Sequence, residues 1–132
     1  MALGPEKILE NRILDWLNSI RGCFAFKINT GGVFDPKTRR FRKNHSRHVH
    51  NGTHDILGVY EGQFFSIEVK AGYNKASTDQ IKFKMNIEKA NGYSLITNNF
   101  IECKKAFLIK FGKFTYKLSG VGEALLFDEE II

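Results

Sequence analysis

Apolar and polar positions recur along this chain with two different periods, and the switches between them mark its elements. Over residues 6–20 the apolar side chains Leu9, Ile13, Trp16, Leu17 and Ile20 follow one another at offsets of four, three, one and three, the stripe of an amphipathic helix. Pro5 suits its first turn and Gly22 its stop. Residues 23–28 read as a short strand with Phe24, Phe26 and Ile28 on one face. Two apolar runs, 55–60 and 63–70, meet at Glu61-Gly62, which reads as a two-residue hairpin turn. A helix is predicted over about residues 77–90, with Ser77 as its cap and Gln80 reaching back to close a capping box. Ile81, Met85 and residues 87–90 supply its apolar side, and Asn91-Gly92 stops it. Residues 93–97 read as a short buried strand, and 108–111 and 114–118 flank Gly112-Lys113 as a second hairpin. The predicted order is helix, three strands, helix, strand and a small C-terminal appendage, without internal repeats or low-complexity segments.

Between Thr30 and His54 the pattern lapses for 25 residues, far longer than an ordinary connection. This stretch carries Lys37, Arg39, Arg40, Arg42, Lys43 and Arg47, and all four histidines of the chain, His45, His48, His50 and His54. Its charge points to binding. Composition adds that 132 residues suffice for one domain and one core. No apolar run reaches the roughly 18 residues of a membrane span, and residues 1–5 lack the features of a secretory signal; a cytoplasmic protein is expected. Twenty Lys and Arg stand against 14 Asp and Glu, and Glu123, Asp128, Glu129 and Glu130 all fall in an acidic and apolar tail at about 120–132. Residues 1–122 therefore hold 20 cationic and 10 acidic side chains. Such an excess favours a polyanionic partner, nucleic acid being the commonest; a merely solvated basic surface is the competing reading. Cys23 and Cys103 are too few for a disulfide framework and read as buried free thiols.

The hairpin turn fixes a register. If Glu61-Gly62 is a two-residue loop, Tyr60 pairs with Gln63 and Asp55 falls opposite Glu68, with Cβ atoms about 4.5–5.5 Å apart. Two carboxylates so close require a cation, a proton or a partner. Lys70 shares their face because strands have period two, while Ile56, Phe65, Ile67 and Val69 face the core. Hard oxygen donors of this kind suit Mg²⁺ or Mn²⁺ rather than zinc, and an ammonium beside such an ion can orient a water or stabilise developing charge. The plainer alternative is a salt bridge between Lys70 and its acidic neighbours.

Gly52-Thr53-His54-Asp55, Ile67-Glu68-Val69-Lys70 and Ser77-Thr78-Asp79-Gln80 together resemble the PD-(D/E)XK nuclease superfamily. They look most like its virus-type replication-repair nuclease branch and are similar also to archaeal Holliday junction resolvases, over about residues 6–97. The resemblance implies a restriction-endonuclease-like αβββαβ core, a mixed central sheet flanked by helices. It implies Mg²⁺, with Mn²⁺ as substitute, held by Asp55, Glu68 and the Val69 carbonyl. Lys70 would position or activate the attacking water, and Gln80 would support the site. A first-helix glutamate at the metal site is also implied, for which Glu10 is favoured over Glu6 as a further catalytic residue and metal ligand; the two lie four apart, on one helical face. His54 stands where the motif's proline usually precedes the aspartate, and the core fold does not require the basic insertion at about 30–54.

The expected function is thus a metal-dependent deoxyribonuclease acting on branched, flapped or otherwise structured DNA, in repair, recombination or phage DNA processing. Lys37, Arg39, Arg40, Arg42, Lys43 and Arg47 would contact phosphate, and Phe34 and Phe41 either stack on an unpaired base or anchor the loop. A zinc site on the four histidines is the lesser reading, since no scaffold for one is evident. A catalytically silent nuclease-fold DNA-binding module is the alternative function. An RNA-binding sheet is disfavoured by the absence of an aromatic RNP-like motif. A homodimer is expected, with residues 106–118 or the tail as its surface, although the tail could equally fold back on its own domain.

Overall fold

The computed structural model describes residues 3–28, 33–42, 48, 50–112, 114–119 and 122–127. The chain runs α1 (Pro5–Ser19), β1 (Cys23–Lys27), β2 (Val33–Asp35), β3 (Arg40–Arg42), β4 (Ile56–Tyr60), β5 (Gln63–Val69), α2 (Thr78–Lys89), β6 (Tyr93–Thr97), α3 (Phe100–Lys110), β7 (Phe114–Ser119) and β8 (Gly122–Phe127). It is an α/β protein whose main sheet has the order β1-β4-β5-β6. β4 runs antiparallel to both of its neighbours, β1 and β5, whereas β6 joins β5 in parallel, as the intervening helix α2 demands of a crossover. Among the described residues no helix is long and apolar enough to cross a membrane.

The predicted register is observed. Tyr60 pairs with Gln63 and Ile56 with Ile67, because Glu61 (φ 47°) and Gly62 (φ 85°) both take the left-handed conformation of a turn whose twist matches the strands. On one face of the sheet, α1 and α3 close the core. Ile13, Leu17, Ile56, Phe65, Ile67, Val69 and Phe107 are completely buried there. Phe107 sits at the centre, with the rings of Trp16, Tyr60, Phe65 and Phe111 at 5.6, 5.5, 5.1 and 4.7 Å, separations typical of favourable aromatic packing.

Several expectations are corrected. Residues 108–111 are not a strand: 108–110 complete α3, and the C-terminal hairpin is instead β7 paired with β8, so part of the expected tail is a strand. Helix wins because Asn99 caps it, accepting from the Glu102 amide at 2.9 Å, and because Phe100, Cys103, Phe107 and Phe111 recur at helical spacing against the core. The insertion is not wholly irregular either, since β2 and β3 pair in a small ribbon with Phe34 opposite Phe41. Phe24 and Phe26 lie on the outer face of β1, stacked at 5.6 Å and largely exposed. The apolar side assigned to α2 is not buried: Ile81 and Met85 are 45% and 50% exposed. Its half-buried positions are Gln80, Phe83, Lys84 and Ile87. The sheet surface beneath α2 is polar, and that difference leads to the site. Both cysteines are free thiols, as expected, with Cys103 buried and Cys23 partly so.

Candidate functional site

β5 is buried on both faces through its last five residues. Phe65, Ile67 and Val69 fill the apolar core, while the alternate positions Ser66 and Glu68 lie under α2 and are also buried. Asp55 immediately precedes β4, so the hairpin register sets it beside Glu68. Each carboxylate accepts from backbone near the other: the Asp55 amide donates to Glu68 Oε1 at 3.2 Å, and the Val69 amide donates to Asp55 Oδ2 at 3.2 Å.

The other Glu68 oxygen, Oε2, meets Lys70 Nζ at 3.4 Å and accepts from Gln80 Nε2 at 3.0 Å. Gln80 also closes the capping box, its Oε1 accepting from the Ser77 amide at 2.8 Å while its own amide donates to Ser77 Oγ at 3.1 Å. One side chain therefore fixes the helix start and orients a carboxylate. Burial first, then the charge of Asp55, pushes Glu68 up to about 7, with Lys70 opposing. The Lys70–Glu68 salt bridge thus offsets part of the cost of holding the two carboxylates together.

A buried network, which the sequence did not reveal, supports this arrangement. His54 has no exposed surface. Its Nε2 donates to the Gln80 carbonyl at 2.9 Å, which leaves Nδ1 of a neutral ring to accept from Ser66 Oγ at 2.9 Å or Ser94 Oγ at 3.3 Å; the two hydroxyls lie 2.6 Å apart. Burial holds the imidazole below its ordinary pKa, consistent with that tautomer. The ring of His54 thus ties the start of the hairpin to α2. Gly52 (φ 81°) lets the same loop press on the helix start, since a Cβ there would collide with the Asp79 backbone. The only available sequence signal was two serines at otherwise apolar strand positions. Beside this contact His50, Asn51, Asp79, Lys82, Phe83 and Asn86 line an open polar pocket of about 280 Å³.

Glu10 and Glu6 separate clearly: Glu10 is 2% exposed and Glu6 only half-buried. Glu10 faces Lys27, an unanticipated residue whose Nζ lies 3.1 Å from Oε1, and Lys7 Nζ lies 3.7 Å from Oε2. Oε1 is buried without a hydrogen bond of good geometry, so its compensation is purely one of charge. Lys27 is raised above its ordinary pKa by side-chain contacts with Lys7 and Glu10 and by the charges of Glu10 and Asp55.

The structure therefore brings together Asp55, Glu68, Val69, Lys70 and Gln80, whereas Glu10 is paired with Lys27 and Lys7. Among the described residues no three His, Cys, Asp or Glu side chains form a group that could hold a metal ion. The carboxylate pair nevertheless suits a hard cation, because Mg²⁺ needs only one or two carboxylates with water completing its shell. Lys37 and Arg39 are exposed in the turn between β2 and β3, and Arg40 and Arg42 lie on β3, opposite Asp35 and Val33. Lys43, His45 and Arg47 are outside the described residues. His48 and His50 are exposed while His54 is buried, an arrangement that gives no support to a shared zinc site. No protein-family model matches the chain, and no curated protein matches its sequence.

Proposed function

We propose that the protein is a metal-dependent deoxyribonuclease of the PD-(D/E)XK type, with a restriction-endonuclease-like core. The observation that carries this reading is the Asp55–Glu68 pair at the end of the hairpin, left under-neutralised with Glu68 pushed up to about 7. Buried charge without full compensation costs stability, which argues for a positive ligand at this point. Asp55, Glu68 and the Val69 carbonyl would hold Mg²⁺ or Mn²⁺. When bound, the ion supplies Lewis acidity to the phosphodiester and to the attacking water.

The chain's own groups do the rest. Gln80, fixed by the capping box and by His54, holds Glu68 in one orientation. Lys70, its side chain 17% exposed beside Glu68, orients the water and stabilises charge developing on phosphate. The basic insertion contacts the DNA backbone and sets position rather than chemistry. Structured DNA in repair, recombination or phage DNA processing, and a homodimer with two-fold symmetry matched to two strands, belong to the same proposal.

A catalytically silent DNA-binding module is the second reading, and the observation favouring it is that among the described residues two carboxylates gather rather than three. A panel of labelled junction, flap, nicked and single-stranded DNAs incubated with Mg²⁺, Mn²⁺ or EDTA separates the two. Metal-dependent strand scission supports the nuclease; tight binding without scission under every metal condition establishes the module.

A further inference from the structure

We propose that Phe24 and Phe26, on the open half of the main sheet, form a platform on which unpaired bases of a DNA strand stack beside the Asp55–Glu68 pair. The inference rests on the DNA-binding part of the reading above and names what is gripped there, bases without a pairing partner. Register places both rings on the sheet face that carries the two carboxylates. Phe24 pairs with Val59 and Val59 with Phe64, while Phe26 pairs with Leu57 and Leu57 with Ser66. Phe64, Ser66 and Glu68 are alternate residues of β5 and share one face. The Ile28 amide donates to the Asp55 carbonyl at 2.8 Å, which sets Ile28 against Asp55 and makes Phe26 the diagonal neighbour of Asp55, about 7–8 Å away.

α2 packs over β5 and β6, so β1 and β4 form the open half of this face. Phe24 is 65% and Phe26 40% exposed there, with Val59 and Phe64 exposed beside them. Four observations select a base as the occupant rather than another protein. The two exposed rings on β1 are aromatic and lie together at 5.6 Å, and every base has a π-face that stacks on such rings whatever its sequence. These four side chains expose on the order of 300 Å², so two copies meeting here fall short of the roughly 1,000 Å² of a specific protein interface. Strand addition is blocked at Ala25, whose amide and carbonyl are both taken by the Asn18 side chain at 2.8 and 2.9 Å. Finally, the connection that leaves β1 at its carboxylate end carries six Lys and Arg before Asp55, which suits the phosphates that accompany bases.

Equilibrium binding in EDTA, followed by fluorescence anisotropy, tests this without reference to cleavage. The probes are a short labelled oligothymidylate, an abasic strand of the same length and charge, and a blunt duplex. Wild type should bind oligothymidylate about tenfold or more tightly than the abasic strand, the scale of stacking on one or two rings. That comparison needs no variant. Phe24→Leu/Phe26→Leu keeps apolar side chains at both exposed positions and should erase most of the preference, leaving duplex affinity and the salt slope unchanged. Phe24→Trp/Phe26→Trp should retain it. Equal affinity of wild type for the thymidylate and abasic strands, or an undiminished preference in the leucine variant, overturns this inference alone. Conversion of a wild-type dimer to monomer by the leucine variant, with the preference unchanged, assigns the face to a second copy and overturns it too. Wild type that binds none of the three probes at low salt overturns the DNA-binding reading as well.

Discussion

At the scale of single residues, the site is a set of groups each given more than one task. Gln80 caps α2 and holds Glu68; Asp55 and Glu68 each accept a backbone hydrogen bond that locks the end of the hairpin. The titration of Glu68 makes this measurable. Its folded-state value, about 7, lies above the ordinary 4.5, so the protonated form is favoured in the native state. Its contribution is fully present below about pH 4.5 and is lost as pH rises through about 7. Metal-free protein should therefore lose stability across that window. Glu68→Gln should flatten the loss, and Mg²⁺ should reverse it at the upper end by binding the ionised pair. His54 has the opposite sign, since a ring held below its ordinary 6.5 loses its contribution as pH falls below that value. The comparison between wild type and Glu68→Gln in urea titrations isolates the carboxylate; identical pH slopes would contradict the assignment.

Lys70→Ala should cost about 10²-fold or more in cleavage rate, the range for removing one preorganised stabilising group. Lys70→Arg should not restore it, because a planar fork does not replace a compact ammonium. Wild-type rates with arginine would show that charge alone matters there.

At the scale of elements, the hairpin was legible and the third helix was not, for identifiable reasons. Glu61-Gly62 specifies a turn type, a turn type specifies register, and register alone placed Asp55 beside Glu68. The Ser77–Gln80 box fixed the start of α2 equally well. Residues 108–111, by contrast, form a short apolar run whose local composition suits either state. The deciding information lay upstream, in the Asn99 cap and the spacing of Cys103 and Phe107. The apolar side of α2 was misread because its packing surface is the polar part of the site, with Ser66, Glu68, Ser94 and His54 buried nearby. His54 was legible only as a departure from the motif and Lys27 not at all, because tertiary contact alone gives them partners. Phe107→Ala should cost about 3–5 kcal/mol, since the ring touches both helices of the core face and the sheet. Denaturant unfolding measures it, and a loss below about 1 kcal/mol would mean that this aromatic cluster is not the centre of the core.

At the scale of the whole molecule, the chain carries a net charge of +6, with the carboxylate pair and the basic insertion on different segments, so binding and chemistry should be separable. Replacing Arg39, Arg40, Arg42 and Lys43 by alanine should reduce the slope of log affinity against log salt by about three to four units on duplex DNA. Turnover at saturating DNA should change far less. An unchanged slope would show these charges to be solvated and idle.

The central claim, that Asp55 and Glu68 form a metal-dependent catalytic centre, is tested most directly by measuring binding and cleavage of one labelled structured DNA side by side. Wild type, Asp55→Ala and Glu68→Ala would be compared in Mg²⁺ and in EDTA. The account predicts scission by wild type in Mg²⁺ alone, and its loss in both variants with affinity retained or slightly increased, because removing acids lessens repulsion of phosphate. Scission by wild type in EDTA, or more than a few per cent of the wild-type rate in both variants, would contradict it.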